Sequence, residues 1–256
     1  MRASARNCGV CEPDRLLGGR LSLFQPPAGH RAGTDAVLLA AASALAAGDS
    51  FVDVGAGVGT AGLAVALRCP GASGLLLEAD SAAAELARRN AALNGVGDRV
   101  AVVEADLFAR ALHRPAALRP EAASLVLTNP PFFDAGAVRP SPNPARAAAH
   151  VAGPRGHGDW LAAAAALLAP KGRLVMIHRP DALPALLAAC EGRLGGVAIR
   201  PVLPRDGADA VRILLAGVKG SRAPLRFAAP LVLHGPDGAF TAEAEAIHRG
   251  DALVAV

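Results

Sequence analysis

Asn129-Pro130-Pro131-Phe132 closes an apolar run, Ala123-Ser124-Leu125-Val126-Leu127-Thr128, that reads as a buried β-strand. An amine on an aromatic ring, like an amide, is a poor nucleophile because its lone pair is delocalised. The Asn129 side-chain oxygen and the Pro130 carbonyl are two acceptors that can hold such an NH2 group. They would favour its pyramidal form and aim the lone pair at an electrophile. Each proline fixes its own φ and stiffens the loop. Phe132 can stack on a base swung out of its helix, and Phe133 can wall the pocket. No strong general base is needed, because the alkylated nitrogen becomes acidic and loses its proton to water.

A second signature lies upstream. Phe51-Val52-Asp53-Val54 reads as a strand that opens into Gly55-Ala56-Gly57-Val58-Gly59. Glycines let the chain turn tightly and let a ligand approach the backbone with no Cβ in the way. Ligands of open α/β sheets bind beyond the carboxyl ends of the strands. Gly57-x-Gly59-x-x-Gly62 also satisfies a dinucleotide pattern, so the loop alone does not separate a nicotinamide from a sulfonium cofactor. The Gly-rich loop after one strand and Asn-Pro-Pro-aromatic after a later one together resemble the S-adenosylmethionine-dependent methyltransferases that modify a planar amino or amide nitrogen. In that setting Glu78, at the end of the next strand, can accept from both ribose hydroxyls. Asp106, followed by Leu107, can accept from the adenine amino group or stand as a plain loop carboxylate. Asp53 would hold the Gly-rich loop or the ligand's amino group. The cofactor residues expected from the loop and its neighbours are Asp53, Gly55, Gly57, Gly59, Glu78, Asp106, Leu107 and Asn129.

The elements that must position these residues alternate. Thr34 or Asp35 is expected to cap a helix running to about Ala47. Strands are predicted at Ser50–Val54, Gly74–Glu78, Arg99–Glu104, Ala123–Thr128 and Arg173–His178. Helices are predicted between them, near residues 60–69, 81–93 and 157–168, with a further one near 182–193. Strands 197–203 and 210–217 are joined by a short turn and are expected to pair antiparallel. A last short strand, Leu231 to Leu233, and a polar turn at Pro236-Asp237-Gly238 are expected to close the chain. Alternating strands and helices imply an α/β fold, doubly wound around a mostly parallel sheet. Residues 1–20 are expected to be an irregular N-terminal segment and residues 21–256 a single domain.

Composition narrows the class further. The chain has 256 residues, 52% of them hydrophobic, enough for one large α/β domain. No apolar stretch is long enough for a membrane span, and Arg2 and Arg6 lead into no apolar signal region, so a soluble cytoplasmic protein is expected. Four cysteines are too few for a disulfide framework, and Cys8-x-x-Cys11 lacks a second pair for zinc. His30, His150, His157 and His178 have no metal-ligand spacing, so no metal is expected. Trp160 is expected in the core. The net charge of +4 suits an anionic partner such as RNA, and Arg139 and Arg146 could meet phosphates.

A family resemblance covers roughly residues 14–245. Gly33-Thr34-Asp35-Ala36-Val37-Leu38-Leu39, the Asp53–Gly59 loop, Glu78, Asn129-Pro130-Pro131-Phe132-Phe133 and Asn143-x-x-Arg146-Ala147 resemble the bacterial tRNA (adenine-N6) methyltransferases that act beside the anticodon of a valine tRNA. Asp237-Gly238-Ala239-Phe240-Thr241 resembles their C-terminal segment. The resemblance implies a Rossmann-like class I methyltransferase fold, seven-stranded with an antiparallel edge strand. It implies S-adenosylmethionine as methyl donor and an RNA substrate. It implies Asn129, Pro130, Pro131 and Phe132 as the catalytic loop, and adds Thr34 and Asp35 as cofactor contacts. Phe at position 132, where these adenine enzymes are associated with Tyr, also matches enzymes that methylate guanine N2 in ribosomal RNA. Release-factor glutamine methyltransferases share the motif but carry an additional N-terminal helical domain. A nicotinamide-dependent oxidoreductase is the alternative from a different class.

Overall fold

The computed structural model describes residues 12–26, 33–109, 115–131 and 156–256. The elements in chain order are β1 Asp14–Leu16, β2 Leu21–Leu23, α1 Thr34–Ala42, β3 Ser50–Val54, α2 Thr60–Arg68, β4 Ser73–Glu78, α3 Ser81–Leu93, β5 Val100–Glu104 and β6 Ala123–Thr128. There follow α4 His157–Ala165, β7 Leu168–His178, α5 Leu183–Cys190, β8 Leu194–Arg205, β9 Arg212–Lys219, β10 Arg226–Phe227, β11 Leu231–His234 and α6 Ala242–Arg249.

The aliphatic runs form one nine-stranded sheet in the order β10-β8-β9-β7-β6-β3-β4-β5, with β11 also on β8. Pairing is parallel throughout except at β9, which runs against both β7 and β8. The antiparallel strand is therefore present, two places in from the edge where it was expected. β8 lies outside it and carries β10 and β11 on its far side, so the sheet exceeds seven strands.

Side chains alternate across each central strand. Phe51, Leu125, Leu127, Val175 and Ile177 face one core with α1, α2, α3 and α6. Val52, Val54, Val126, Leu174 and Met176 face the other with α4 and α5. Burial on both faces explains why these strands read as continuous apolar runs.

Three expectations need correction. Residues 14–16 are not irregular. They form β1, which pairs antiparallel with β2, Asp14 opposite Leu23. Two asparagines four apart on α3 anchor this hairpin: Asn90 Oδ1 accepts from Phe24 N–H at 2.7 Å, and Asn94 Oδ1 accepts from Ser22 N–H at 3.0 Å. Second, α1 stops at Ala42 rather than near Ala47. The Arg68 guanidinium takes the Ala40 and Ser43 carbonyls at 2.7 and 2.6 Å, supplying partners that a longer helix would have used. Third, the chain does not close on the polar turn at Pro236–Gly238. It continues into α6, capped by Thr241, whose side chain accepts from Ala244 N–H, and ended by Gly250 at φ 78°. Cys8 and Cys11 lie outside the described residues.

Candidate active site

β3 and β6 are adjacent and parallel, with Val54 opposite Thr128. Gly55 and Asn129, the next residue on each chain, therefore leave neighbouring strands at the same rim. A side-chain bond pins the two ends together, because the buried Thr128 hydroxyl donates to the Val54 carbonyl at 2.7 Å. Asn129 is half-buried, Pro130 buried and Pro131 exposed. Phe132 and Phe133 lie outside the described residues, as do Arg139, Asn143 and Arg146.

The Gly-rich turn takes conformations that side chains resist. Gly59, the cap of α2, sits at φ 90°, and a Cβ there would lie 3.0 Å from Leu76 and 3.1 Å from Leu63. Gly57, at φ 57°, faces open space instead. A ligand can approach the backbone at that point.

Glu78 ends β4 beside the turn. One carboxylate oxygen accepts from Gly57 N–H at 2.7 Å and the other from Asp80 N–H at 2.8 Å. Asp80 is the α3 cap, accepting from Ala82 and Ala83 N–H. Each Glu78 oxygen keeps a further lone pair for a ligand hydroxyl. Asp53 is only 2% exposed and accepts from Gly62 N–H at 2.8 Å. It faces the α2 side of the sheet and ties that helix to β3. Burial pushes its carboxyl up to about 7; the Gly62 N–H opposes the shift and the Glu78 charge adds to it. Asp106 follows β5, its carboxylate accepting from Phe108 N–H at 2.9 Å. Leu107 is buried in the second core.

These features fit a nucleoside-bearing cofactor: a turn open at Gly57, a carboxylate with lone pairs to spare at the next strand, and a second carboxylate beyond. A family model described as the methyltransferase small domain matches residues 32–188, spanning all of them.

The chain belongs to this methyltransferase family. It is 31% identical to a tRNA1(Val) (adenine(37)-N6)-methyltransferase of Aeromonas hydrophila, over 82% of this chain and 85% of that one. A protein of the same description from Porphyromonas gingivalis is 30% identical over 88% of this chain and 89% of its own. Among solved structures, a predicted O-methyltransferase from Agrobacterium tumefaciens is 37% identical, with a TM-score of 0.73, covering 87% of this chain and 99% of that chain. The strand order and the parallel core are those of a class I methyltransferase.

In this methyltransferase Trp160 packs against the second core, as expected, and also reaches the site. Its indole N–H donates to the Thr128 hydroxyl at 3.0 Å. Its ring lies against the Gly-rich turn, where a Cβ on Gly55 would come within 3.2 Å of it. Phe108 meets it edge-on, ring centres 5.9 Å apart. Helix α4 thus touches the glycine turn, the end of β6 and the segment after β5. The sequence signal was the single tryptophan of the chain, downstream of the Asn129–Phe132 segment, which helical periodicity alone could not orient.

His178 ends β7, two residues past the Thr128–Met176 pair, at the rim reached by Pro130. It is buried and stands edge-to-face with His157 at 4.5 Å, and its Nδ1 accepts from Arg179 N–H. Burial and the nearby His157 lower its pKa to about 4, so the ring is neutral. Thr34 and Asp35 do not cap α1, whose cap is Gly33. Asp35 is instead ion-paired with Arg212 at 2.8 Å. Among the described residues no group of three or more His, Cys, Asp or Glu could hold a metal ion, and no helix is long and apolar enough to cross a membrane.

Proposed function

We propose that this chain transfers a methyl group from S-adenosylmethionine to the exocyclic amine of an RNA base, with adenine N6 in a tRNA as the target. The observation that carries the reading is the Val54–Thr128 pairing, which starts the glycine turn and Asn129 side by side at one rim. When bound, the cofactor supplies an electrophilic methyl group on a sulfonium.

The chain's own groups would do the rest. Gly55, Gly57 and Gly59 shape the turn, and Gly57 admits the ligand to the backbone. Glu78 would take the ribose hydroxyls with its free lone pairs, and Asp106 the adenine amine. Asp53 fixes the start of α2, and its buried charge would act on the ligand's ammonium from behind the turn. Asn129 and the Pro130 carbonyl supply two acceptors, and an NH2 has two hydrogens to give; a hydroxyl has one. That count favours N- over O-methylation. Pro131 stiffens the loop, and Phe132 is assigned to stack on the base. The net charge of +4 and the two tRNA-modifying relatives support an RNA partner and, with it, a cytoplasmic location.

The test is methylation of unmodified tRNA by the purified chain, followed by digestion and mass spectrometry of the nucleosides. N6-methyladenosine is the expected product. N2-methylguanosine, a ribose methylation, or labelling only of a release-factor glutamine would overturn the assignment. Binding of NADH with no response to S-adenosylmethionine would overturn the class.

A further inference from the structure

Both residues that open α1 are held by the C-terminal part of the chain. Asp35 pairs with Arg212 of β9. The Thr34 hydroxyl lies 3.4 Å from His248 Nε2 on α6. The His248 ring is itself fixed. Its Nδ1 lies 2.7 Å from the Ala244 carbonyl oxygen, and a carbonyl only accepts, so Nδ1 carries the hydrogen. In the neutral imidazole Nε2 is then an acceptor, and the Thr34 hydroxyl donates to it.

A stack of rings sets the imidazole plane. His248 lies on Phe240 at 4.2 Å and 21°, and Phe240 on His234 at 4.8 Å and 15°. His234 ends β11, which pairs with β8, and it bridges to Phe240 through the backbone. A continuous line of contacts therefore runs from the sheet edge to one hydroxyl at the start of α1.

We propose that His248 is a positioning residue for the cofactor, acting through Thr34. By taking the Thr34 hydrogen it leaves that oxygen with lone pairs only, turning Thr34 into an obligate acceptor for an N–H or O–H donor. The cationic ammonium of the cofactor's amino-acid end is such a donor. This rests on the reading that the start of α1 covers the cofactor. Arg212 acts alongside, neutralising Asp35 so that its carboxylate does not compete for the same cation.

The test is a double-mutant cycle on S-adenosylmethionine affinity, by calorimetry, with thermal melts in parallel. H248A and T34V should each weaken binding about three- to tenfold, the worth of one hydrogen bond. The double variant should bind no worse than either alone, and T34S should retain wild-type affinity. The Michaelis constant for the cofactor should rise while kcat at saturation holds. If H248A does not fold, H248Q takes its place in the cycle. Losses that add in full, wild-type affinity in T34V, or a fall in kcat alone would overturn the proposal. A wild-type chain that binds no S-adenosylmethionine overturns the site reading and this proposal with it; wild-type binding with uncoupled variants overturns this proposal only.

Discussion

Asp53 and Glu78 are carboxylates on neighbouring strands, and their surroundings separate them. Glu78 is half-buried and accepts two backbone N–H groups. Asp53 is buried with its carboxyl raised to about 7, from an ordinary value of 3.8. A raised folded-state value means that the folded chain holds the proton more tightly than the unfolded one. Stability from this group is full below pH 3.8 and declines up to pH 7, by as much as about 4 kcal/mol, then levels off. His178 acts in the opposite sense. Its depressed value of about 4, against 6.5, costs stability as pH falls from 6.5 to 4. Melts of the ligand-free chain across this range should show D53N flattening the decline between pH 3.8 and 7, and an unchanged decline would contradict the assignment. A bound ammonium favours the ionised Asp53, so cofactor affinity should rise with pH through 7 in the wild type and not in D53N. At Asn129 the loss should be in chemistry. N129A should slow methyl transfer about 100-fold or more while cofactor affinity changes little, as read by single-turnover rates beside calorimetry. Equal loss of both would place Asn129 in the cofactor site or in the fold.

At the scale of elements, α4 is the piece that joins the two halves of the site. The Trp160 N–H, the Thr128 hydroxyl and the Val54 carbonyl form one relay of hydrogen bonds across three elements. W160F keeps an aromatic ring there but loses the indole N–H bond to Thr128 and the outer ring atoms that lie against Gly55. It should lower stability by roughly 1 kcal/mol, a shift of about 2–4 °C in Tm. As the chain's single tryptophan, Trp160 should also report cofactor binding by a change in intrinsic fluorescence, and a flat titration at saturation would remove it from the site. The central strands were legible because two-faced burial writes an unbroken aliphatic run. β1 was not, since its three residues carry no period. Helix α6 had its signals, Thr241 before it and Gly250 after it, but buries only Ala244 and Ile247, too narrow a stripe to stand out among alanines and charges.

At the scale of the whole molecule, the C-terminal residues complete the first core. Ala244, Ile247, Val254 and Val256 are buried in it, and Val254 N–H donates to the Ala41 carbonyl at 3.0 Å. Removing residues 242–256 would expose the outer face of α1. Each larger aliphatic side chain contributes about 1.5–3 kcal/mol, so the loss is comparable to the stability of a typical domain. The truncated chain should be insoluble or should melt below the working temperature; a truncated form melting like wild type would show that this segment is dispensable.

From its own order of residues the chain determined which segments become strands, because apolar periodicity and glycine conformations are local. It also marked the two chemical loops, since the amine acceptors and the open turn are properties of a few consecutive residues. Tertiary structure decided what those loops face. β3 lies between β4 and β6 rather than beside β5, an order set by how the crossover helices pack on the two faces of the sheet. That order puts Gly55 and Asn129 side by side. The same packing brings Trp160 onto the glycine turn and His248 to Thr34, contacts between residues far apart in sequence that only the folded sheet can place together.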